Sequence, residues 1–355
     1  MQSIEQFQER VRAASLEKRS LRIRGGGTKD WYGQRLEGEI LDTRAYSGIV
    51  DYEPTELVIT ARCGTPLAEI EAALAERRQM LAFEPPHFGE GATFGGMVAA
   101  GLSGPRRAAS GALRDFVLGA KLLDGKGEVL SFGGQVMKNV AGYDVSRLLA
   151  GSLGTLGLLL EISVKVLPRP FAETTLRFRM GEAEAIRKLN EWGGQPLPIA
   201  ASCWHDGVLA LRLAGAQAAV EHAERTLGGE RMADCGPFWA SLREQRHPFF
   251  AGEGALWRLS VPSTTGPIAL GGAQLIEWGG AQRWLRAGAD AAEAEAEAET
   301  IRRAVAACGG HATLFRGGDK RVGVFHPVAP AVARIQARLK DAFDPSHIFN
   351  PGRMN

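Results

Sequence analysis

Residues 91–104, GATFGGMVAAGLSG, decide the fold of this chain, because they place small residues where a backbone approaches a bulky ligand. Two further stretches rich in glycine follow, SGALRDFVLGAKLLDGKGEVLSFGG at 110–134 and KNVAGYDVSRLLAGSLGTLGLLLEISVKVLP at 138–168. Glycine has no Cβ atom, so it permits positive φ and lets N–H groups come close to a ligand. Glycine supplies 45 of the 355 residues, and its densest clusters lie in these stretches and at Arg24–Thr28. Because these clusters allow such close approach, we expect a large anionic ligand with a diphosphate.

Composition and charge exclude several classes of protein. The net charge of +2 argues against a nucleic-acid-binding protein that works by neutralising phosphates. No apolar run reaches the roughly 18–20 residues of a membrane span, and the charged N-terminal segment has no secretory signal pattern. The four cysteines lie far apart without CxxC or Cys/His spacing, which predicts free thiols in a cytoplasmic protein and neither a zinc site nor an iron–sulfur cluster: Cys63, Cys203, Cys235 and Cys308.

The patterns divide the chain into two α+β domains and a C-terminal segment. Residues 1–168 form a cofactor domain of two α+β subdomains, 1–80 and 81–168, which ends at Pro168-Arg169-Pro170. Residues 326–355 contain a helix at Ala331–Phe343 and a tail, HIFNPGRM, which we expect to return to the first domain.

Residues 171–325 have a different pattern. Strands and helices alternate as β-α-β-β-α with a closing strand near Arg231–Cys235, which is the ferredoxin-like order. A second set of elements with a weaker sequence pattern follows: strands near Ala255–Val261 and Gln274–Trp278 and a helix at Ala291–Ala307. This region is expected to cover the first domain as a cap.

Three glycine clusters are candidate phosphate cradles. The chain has neither GxxxxGK[ST] nor GxGxxG, so a P-loop or Rossmann protein is not supported. The clusters are Arg24–Lys29, then Thr93–Met97 with Ser103, Gly104, Gly111 and Asp115, and finally Gly151–Gly157. Successive glycine N–H groups form an anion-binding nest. Each cluster alone is also compatible with a mobile turn, but three within about half of the chain favour a binding site.

These motifs resemble those of the vanillyl-alcohol-oxidase-type (PCMH-type) FAD-binding family, and within it the FAD-binding subunits of glycolate oxidases. The resemblance rests on RGGGTK at 24–29, PPHFGEGATFGGMVA at 85–99, the stretches after 114 and 138, and FDPSHIFNPGRM at 343–354. It implies FAD held between two α+β subdomains. Relatives that bind FAD covalently use a histidine after the glycine run, where this chain has Thr28 and Lys29, so non-covalent FAD is expected.

The resemblance also implies which residues contact FAD. They are Arg24, Gly25, Gly26, Gly27, Thr28, Lys29, Thr93, Gly95, Gly96, Met97, Ser103, Gly104, Gly111, Asp115, Gly154, Thr155, Leu156, Gly157, Ile162 and Asn350. Asn350 is expected to approach the isoalloxazine ring. His87 is assigned a structural role, with a flavin contact as the alternative.

Oxidation of a 2-hydroxy acid needs an arginine fork for the carboxylate, a base near the hydroxyl and a flavin. His311 and Arg316, at the two ends of a short predicted strand, are the catalytic candidates, and no metal ligands are expected. The tryptophans between Trp204 and Trp284 are better explained as core or interface residues.

The resemblance leaves three functions open. The related D-lactate dehydrogenases and the catalytic sister subunit have a GDGNLH-like segment, whereas this chain has only Gly317-Gly318-Asp319-Lys320 and His326-Pro327. We therefore prefer an FAD-binding subunit of a glycolate oxidase complex, whose partners are a sister FAD subunit and an iron–sulfur subunit. The complex would oxidise glycolate to glyoxylate in the cytoplasm, with attachment to the inner membrane only through partners. The alternatives are a self-sufficient 2-hydroxy-acid dehydrogenase and an assembly subunit that retains FAD.

Overall fold

The computed structural model describes residues 3–134, 144–288 and 293–354. The helices are α1 (Ile4–Leu16), α2 (Leu67–Glu76), α3 (Phe94–Ala100), α4 (Arg107–Ser110), α5 (Leu113–Phe116), α6 (Val145–Leu148), α7 (Glu182–Gly193), α8 (Gln217–Leu227), α9 (Cys235–Arg243), α10 (Ala294–Ala307) and α11 (Pro330–Phe343). Residues 138–143 of the third glycine-rich stretch, and residues 291–292 of the helix predicted at Ala291–Ala307, lie outside the described residues.

Seventeen strands lie between these helices in the described part of the chain. They are β1 (Leu21–Arg24), β2 (Glu39–Asp42), β3 (Ile49–Glu53), β4 (Val58–Arg62), β5 (Gln79–Met80), β6 (Val117–Leu123), β7 (Val129–Gly133), β8 (Leu158–Lys165), β9 (Leu167–Pro168), β10 (Ala172–Arg179), β11 (Ile199–His205), β12 (Val208–Gly215), β13 (Glu230–Arg231), β14 (Leu256–Ser260), β15 (Ala273–Glu277), β16 (Gln282–Arg286) and β17 (His311–Arg316).

The chain forms two compact units. The first contains Met1–Leu102, Ala112–Pro168 and Pro327–Asn355, and the second contains Ser103–Gly111 and Arg169–His326. The C-terminal segment therefore belongs to the first unit, although it follows the second in sequence.

An antiparallel sheet, in the order β3-β4-β8-β6-β7, forms the centre of the first unit. The hairpin predicted at Asp124–Gly127 is confirmed between β6 and β7, where the buried Asp124 carboxylate accepts from the N–H groups of Lys126 (2.9 Å) and Glu128 (2.8 Å). β4 pairs with β8, so strands from both sides of the expected subdomain boundary at Met80 join in one sheet. The parallel pair β1-β2 lies outside that sheet.

The C-terminal tail returns to β1. The Leu21 N–H donates to the Ile348 carbonyl (2.7 Å), and the Asn350 N–H donates to the Leu21 carbonyl (2.9 Å). These two bonds place Phe349 beside Leu21 as a short parallel bridge. The predicted return of the tail is confirmed, and it fixes Asn350 next to the strand that leads into the first glycine cluster.

The second unit is built on an eight-stranded antiparallel sheet. Its first half has the order β13-β10-β12-β11, which confirms the predicted ferredoxin-like arrangement. The second half continues as β15-β16-β14-β17. On β12, Leu209, Leu211 and Leu213 alternate with residues of the opposite face and pack with α7 and α8.

The opposite face of β10 and β12 carries buried polar groups. The Arg212 guanidinium stacks on the Trp239 ring, with its carbon 4.7 Å from the ring centroid. Glu173 forms ion pairs with Arg212 (3.9 Å) and with Arg106. Trp239 Nε1 donates to Thr175 Oγ1 (2.9 Å). These contacts hold α9, which the sequence did not predict, against the sheet.

The segment Ser103–Gly111 is a correction to the predicted domain boundaries. The sequence predicts it within the cofactor domain, but it packs in the second unit. The Arg106–Glu173 ion pair and the bond from Trp278 Nε1 to the Gly104 carbonyl (3.1 Å) account for this placement. The Arg107 guanidinium also lies 4.4 Å from the Trp278 ring centroid.

None of the helices in the described part of the chain is long and apolar enough to cross a membrane. All four cysteines are unpaired thiols, as predicted.

Two histidines of the second unit are held in an aromatic cluster. The rings of His205 and His247 lie 5.6 Å apart and nearly perpendicular, and His205 also contacts the Phe249 ring at 5.3 Å. Burial lowers the pKa of both histidines, and the neighbouring His205 lowers the pKa of His247 further. The folded unit therefore binds fewer protons than the unfolded chain below a pH of about 6.5.

We predict that the second unit loses stability as the pH falls from 7.5 to 5.5, since the unfolded chain binds protons that the folded cluster resists. The variant His205→Phe keeps the ring contacts and removes one titrating group, so its melting temperature should fall less over this interval. Six of the seven tryptophans lie in this unit, so tryptophan fluorescence reports its melting. The matched change at the exposed His222 of α8 should leave the pH dependence unchanged; equal behaviour of the two variants would contradict the assignment.

Candidate functional site

A cleft in the first unit brings the three glycine clusters and the C-terminal tail together. We call it the glycine cleft. It is lined by Ile23, Gly25, Thr43, Cys63, Gly95, Gly96, Ala99, Leu153, Gly154, Gly157, Leu158, Leu159 and Asn350. Because glycine backbones and apolar side chains both line its walls, the cleft offers N–H donors beside apolar surface.

The first glycine cluster follows β1 and has free donors. Among the described residues, no hydrogen bond uses the N–H groups of Gly25, Gly26 or Gly27. Gly27 has φ +72°, a left-handed conformation that glycine adopts without strain. On the facing cluster, the Gly154 N–H is also without an acceptor in the described part of the chain. Unpaired N–H groups at two facing turns are what an anion requires.

Close backbone packing explains why the first cluster needs glycine. A Cβ atom on Gly26 would lie 1.4 Å from the Gly91 carbonyl oxygen, and one on Gly25 would lie 2.2 Å from Thr93 Oγ1. The glycine-rich turns before α3 and after β1 therefore touch each other directly. A side chain at either position would separate them and open one wall of the cleft.

The start of α3 contributes a wall rather than donors. The Gly95 N–H donates to the Cys63 carbonyl (2.8 Å), and the Gly96 N–H donates to Thr93 Oγ1 (3.2 Å). The N–H groups of Gly95 and Gly96 therefore already have acceptors within the protein, and the predicted contact of these two residues with the cofactor stays a prediction. Without side chains, Gly95 and Gly96 still leave room for a ligand. Burial raises the pKa of the adjacent Cys63 thiol to about 12, so that thiol is protonated at neutral pH.

Asn350 bridges the two glycine turns through its side chain. Its Oδ1 accepts from the Ile23 N–H (2.8 Å), and its Nδ2 donates to the Leu153 carbonyl (2.6 Å). It has φ +41°, a conformation in which asparagine is more common than most residues. The predicted site residue is thus in the cleft, where it holds both turns.

Two further residues of the C-terminal region were missed by the sequence analysis. Arg353 is buried and donates to the carbonyls of Lys29 (3.1 Å) and Asp30 (3.0 Å). Lys340 donates to the carbonyls of Thr155 (2.7 Å) and Phe349 (2.8 Å). Arg353 fixes the end of the first cluster and Lys340 the third.

Signals for these residues were present in the sequence. Arg353 interrupts a tail of small and apolar residues, and a charge in such a tail indicates a buried partner. Lys340 lies four residues before the buried Asp344, a spacing that allows an ion pair on a helix. Lys340 Nζ is 2.6 Å from Asp344 Oδ2. Burial lowers the pKa of Arg353 to about 10, so its guanidinium stays charged at neutral pH.

The polar residues of the first cluster are engaged with neighbours. Arg24 pairs with Asp30 (2.8 Å), and its guanidinium lies against Gly27. Lys29 donates to the His87 carbonyl (3.1 Å), and Thr28 Oγ1 lies 3.5 Å from the Lys29 ammonium. The His87 ring contacts the Glu71 carboxylate (3.1 Å).

Several predicted contact residues lie away from the cleft walls. Met97 and Ile162 are buried in the hydrophobic core of the first unit. Met97 is close in sequence to Gly96 on α3, and Ile162 is close to Leu159 on β8, but neither faces the cleft that Gly96 and Leu159 line. Thr155 and Leu156 line a second groove below the cleft.

The structure also gives other roles to Asp115 and to three residues of the second unit. Asp115 caps the start of α5 by accepting from the Ala112 N–H (2.9 Å). Ser103, Gly104 and Gly111 belong to the second unit, and their predicted contact with the cofactor stays a prediction.

His311 and Arg316 stand at opposite ends of β17. Five strand positions separate them, which corresponds to about 17 Å, so the structure does not bring them together in one small site. The Arg316 guanidinium donates to the Phe250 carbonyl (3.4 Å). Burial lowers the pKa of His311, and the charge of Arg258 lowers it further. No group of three or more metal-ligating side chains occurs among residues 3–134, 144–288 and 293–354.

Comparison with known proteins extends over the whole chain. Residues 1–133 match a family model described as FAD binding domain. The chain is 51% identical over 346 residues to glycolate oxidase subunit GlcE of Escherichia coli (strain K12), covering 98% of this chain and 95% of that protein.

Other similarities are partial or structural. A D-lactate dehydrogenase of Archaeoglobus fulgidus is 31% identical over 185 residues, 50% of this chain and 40% of that protein. Glycolate oxidase subunit GlcD of Bacillus subtilis (strain 168) is 40% identical over 84 residues, 24% of this chain and 18% of that protein. A solved structure of alkyldihydroxyacetonephosphate synthase superposes with a TM-score of 0.69 at 14% identity, covering 98% of this chain and 75% of that chain. It has the same fold.

We predict that Gly26→Ala lowers the affinity for FAD at least about tenfold, equal to about 1.4 kcal/mol, because the new Cβ would meet the Gly91 carbonyl. The measurement is flavin released per chain after saturation with FAD and gel filtration. The control is Gly193→Ala at the end of α7, where an added Cβ meets nothing within 4 Å. Full flavin content in Gly26→Ala would show that the two turns do not need this contact.

We predict that Asn350→Asp weakens both FAD binding and the first unit, since a carboxylate cannot donate to the Leu153 carbonyl at neutral pH. A buried acceptor left without its donor costs about 1–3 kcal/mol. The matched control is Asn190→Asp, because Asn190 Nδ2 donates to the carbonyls of Ile186 and Ser263 (2.9 Å each) in the second unit. Flavin titration should show a loss only for Asn350→Asp; equal losses would mean that the bridge has no specific role.

Proposed function

Since the chain belongs to the glycolate oxidase subunit GlcE family, we propose that it is the FAD-binding subunit of a glycolate oxidase complex. That complex oxidises glycolate to glyoxylate and contains, besides this chain, a second flavoprotein subunit and an iron–sulfur subunit. We place the complex in the cytoplasm, where any attachment to the inner membrane runs through its partners.

The full-length match carries the proposal. Similarity to the E. coli subunit spans 98% of this chain and so includes both units, whereas similarity to the D-lactate dehydrogenase and to the GlcD subunit covers 50% and 24% of it. Because the second half of the chain is also similar in sequence to the E. coli subunit, we assign the chain the role of that subunit. The chain is a member of an FAD-dependent oxidoreductase family.

The glycine cleft suits the diphosphate of FAD in its donors. The N–H groups of Gly25, Gly26 and Gly27, with that of Gly154 opposite, would hold the diphosphate. Gly95, Gly96 and Ala99 would lie along the cofactor, and Asn350 would keep the two turns at the required distance. The flavin would be held without a covalent bond, since Thr28 and Lys29 take the positions after the glycine run. Bound flavin supplies an acceptor for two electrons.

A role as electron-carrying partner is favoured over self-sufficient catalysis. A 2-hydroxy acid loses a proton from its hydroxyl and a hydride from its carbon, so a base and a carboxylate-binding arginine must lie within a few ångströms of each other. His311 and Arg316 are separated by the length of β17. In our proposal the second flavoprotein binds glycolate, and His311 and Arg316 have structural roles in this chain.

We predict that the isolated chain, loaded with FAD, keeps an oxidised flavin spectrum when glycolate is added without oxygen. The assembled complex should bleach under the same conditions, because it contains the subunit that binds glycolate. The readout is flavin absorbance near the visible maximum. Bleaching of the isolated chain would support a self-sufficient dehydrogenase and contradict the partner role.

A second comparison distinguishes electron transfer from assembly alone. Complexes that contain Gly26→Ala, kept at an FAD concentration well below the raised dissociation constant so that this chain is largely without flavin, should assemble but turn over glycolate slowly with an external acceptor. Undiminished turnover would assign this chain a structural function in the complex.

A further inference from the structure

Helix α11 has no buried residue along its length, although it carries apolar side chains. Every residue from 327 to 338 is exposed, and Ile335 is 57% exposed. Among the residues that the structure describes, the core of the first unit contacts α11 at its last turn, through Leu339 and Phe343. Helices shorter than about 12–15 residues are marginal in water without tertiary packing. The first two and a half turns of α11 therefore gain from a surface that covers them.

The exposed apolar side chains form one stripe. Val332, Ile335 and Leu339 follow the spacing i, i+3, i+7, which places them on one side of the helix. The stripe continues into a groove of about 370 Å³ between α11 and the third glycine cluster. Leu148, 41% exposed, and Leu156 line that groove together with Leu339. The exposed side chains of α11 and the groove beside them therefore form one continuous apolar surface.

Basic side chains border this surface. Arg334 and Arg338 are exposed on α11, whose one acidic residue, Asp341, contacts His347 (2.8 Å). Arg147, about half exposed, stands beside Leu148 on α6 and pairs with Asp144 (2.8 Å). Lys340 and Arg353 are the charged residues that line the groove. A surface that complements this one carries apolar side chains flanked by carboxylates.

We propose that α11 and the adjoining groove are the docking surface for a partner subunit of the complex, which inserts an apolar ridge flanked by aspartate or glutamate. This inference rests on the proposed function, since it names the surface through which that complex forms. The groove lies next to the third glycine cluster, so the partner would bind beside the turn that Lys340 and Asn350 hold.

Two other occupants fit the surface less well. In a symmetric dimer the same patch would face itself, and Arg334 and Arg338 would approach their own copies with like charge. Helices that lie in lipid interfaces use tryptophan, phenylalanine and leucine on the apolar face. The exposed part of α11 offers only Val332 and Ile335, and the groove beside it is concave, which suits a protein side chain.

The test is assembly of the full complex from co-expressed subunits, with the tag on the partner. The variant Val332→Glu/Ile335→Glu should bind at least about 30-fold more weakly, the loss typical of a central interface residue. Both positions are exposed, so the isolated variant should keep wild-type FAD content and melting temperature. The matched control is Leu16→Glu at the exposed end of α1, 86% exposed, which should assemble as the wild type does.

Charge reversal provides an independent measurement. Arg334→Glu/Arg338→Glu should weaken assembly at low salt and reduce its salt dependence, because the carboxylates of the partner lose their counter-charges.

The outcomes separate this inference from the proposed function. If wild-type subunits assemble and Val332→Glu/Ile335→Glu assembles equally well, the docking surface is wrong and the proposed function stands. If the wild-type chain fails to assemble with either partner subunit, both are overturned. Sedimentation that shows a wild-type dimer lost in this variant would assign the surface to a second copy. Wild-type binding to phosphatidylglycerol–phosphatidylcholine vesicles, lost in the variant, would assign it to lipid; each result overturns the proposal.

Discussion

The side-chain amide of Asn350 is the interaction on which the arrangement of the cofactor site depends. One oxygen and one nitrogen join the end of β1, which leads into the first glycine cluster, to the turn that contains Gly154. The joined backbone groups belong to Ile23 and Leu153, 130 residues apart, and the amide that links them comes from the end of the chain.

Other residues of the C-terminal segment support this bridge. Asp344 is fully buried and accepts from the N–H groups of Ile348 (3.1 Å) and Phe349 (2.8 Å), which shapes the chain just before Asn350. Lys340 neutralises Asp344 and holds the third cluster, while Arg353 holds the first. The FAD-binding unit is therefore complete only when the last residues of the chain have folded onto it, even though the second unit intervenes in sequence.

Local patterns predicted the elements better than they predicted the inside of the site. The Asp124–Gly127 turn and the ferredoxin-like order follow from turn residues and from alternation, which are local properties. The glycine clusters could be predicted because the sequence shows directly which residues have no side chain. Met97 and Ile162 are core residues that do not line the cleft; a motif gives proximity along the chain, whereas packing decides which face of a helix or strand a residue occupies.

Roles that depend on distant partners were beyond the sequence. The sequence predicts that Gly95 and Gly96 contact the cofactor, but it does not show that the carbonyl of Cys63 and the hydroxyl of Thr93 accept hydrogen bonds from their N–H groups. The segment Ser103–Gly111 packs in the second unit through the Arg106–Glu173 ion pair and the bond from Trp278 to the Gly104 carbonyl. The local sequence indicates neither contact. Lys340 and Arg353 resemble surface cations until the backbone carbonyls that they bind are known.

The most direct test of the cofactor site is hydrogen–deuterium exchange of single amides, with and without FAD. The structure predicts that FAD slows exchange at Gly25, Gly26, Gly27 and Gly154, whose N–H groups are without protein acceptors in the described part of the chain. Gly95 and Gly96, already bonded within the protein, should change little. Slowing at Gly95 and Gly96 with no change at Gly25–Gly27 would contradict this account of how the chain holds its cofactor.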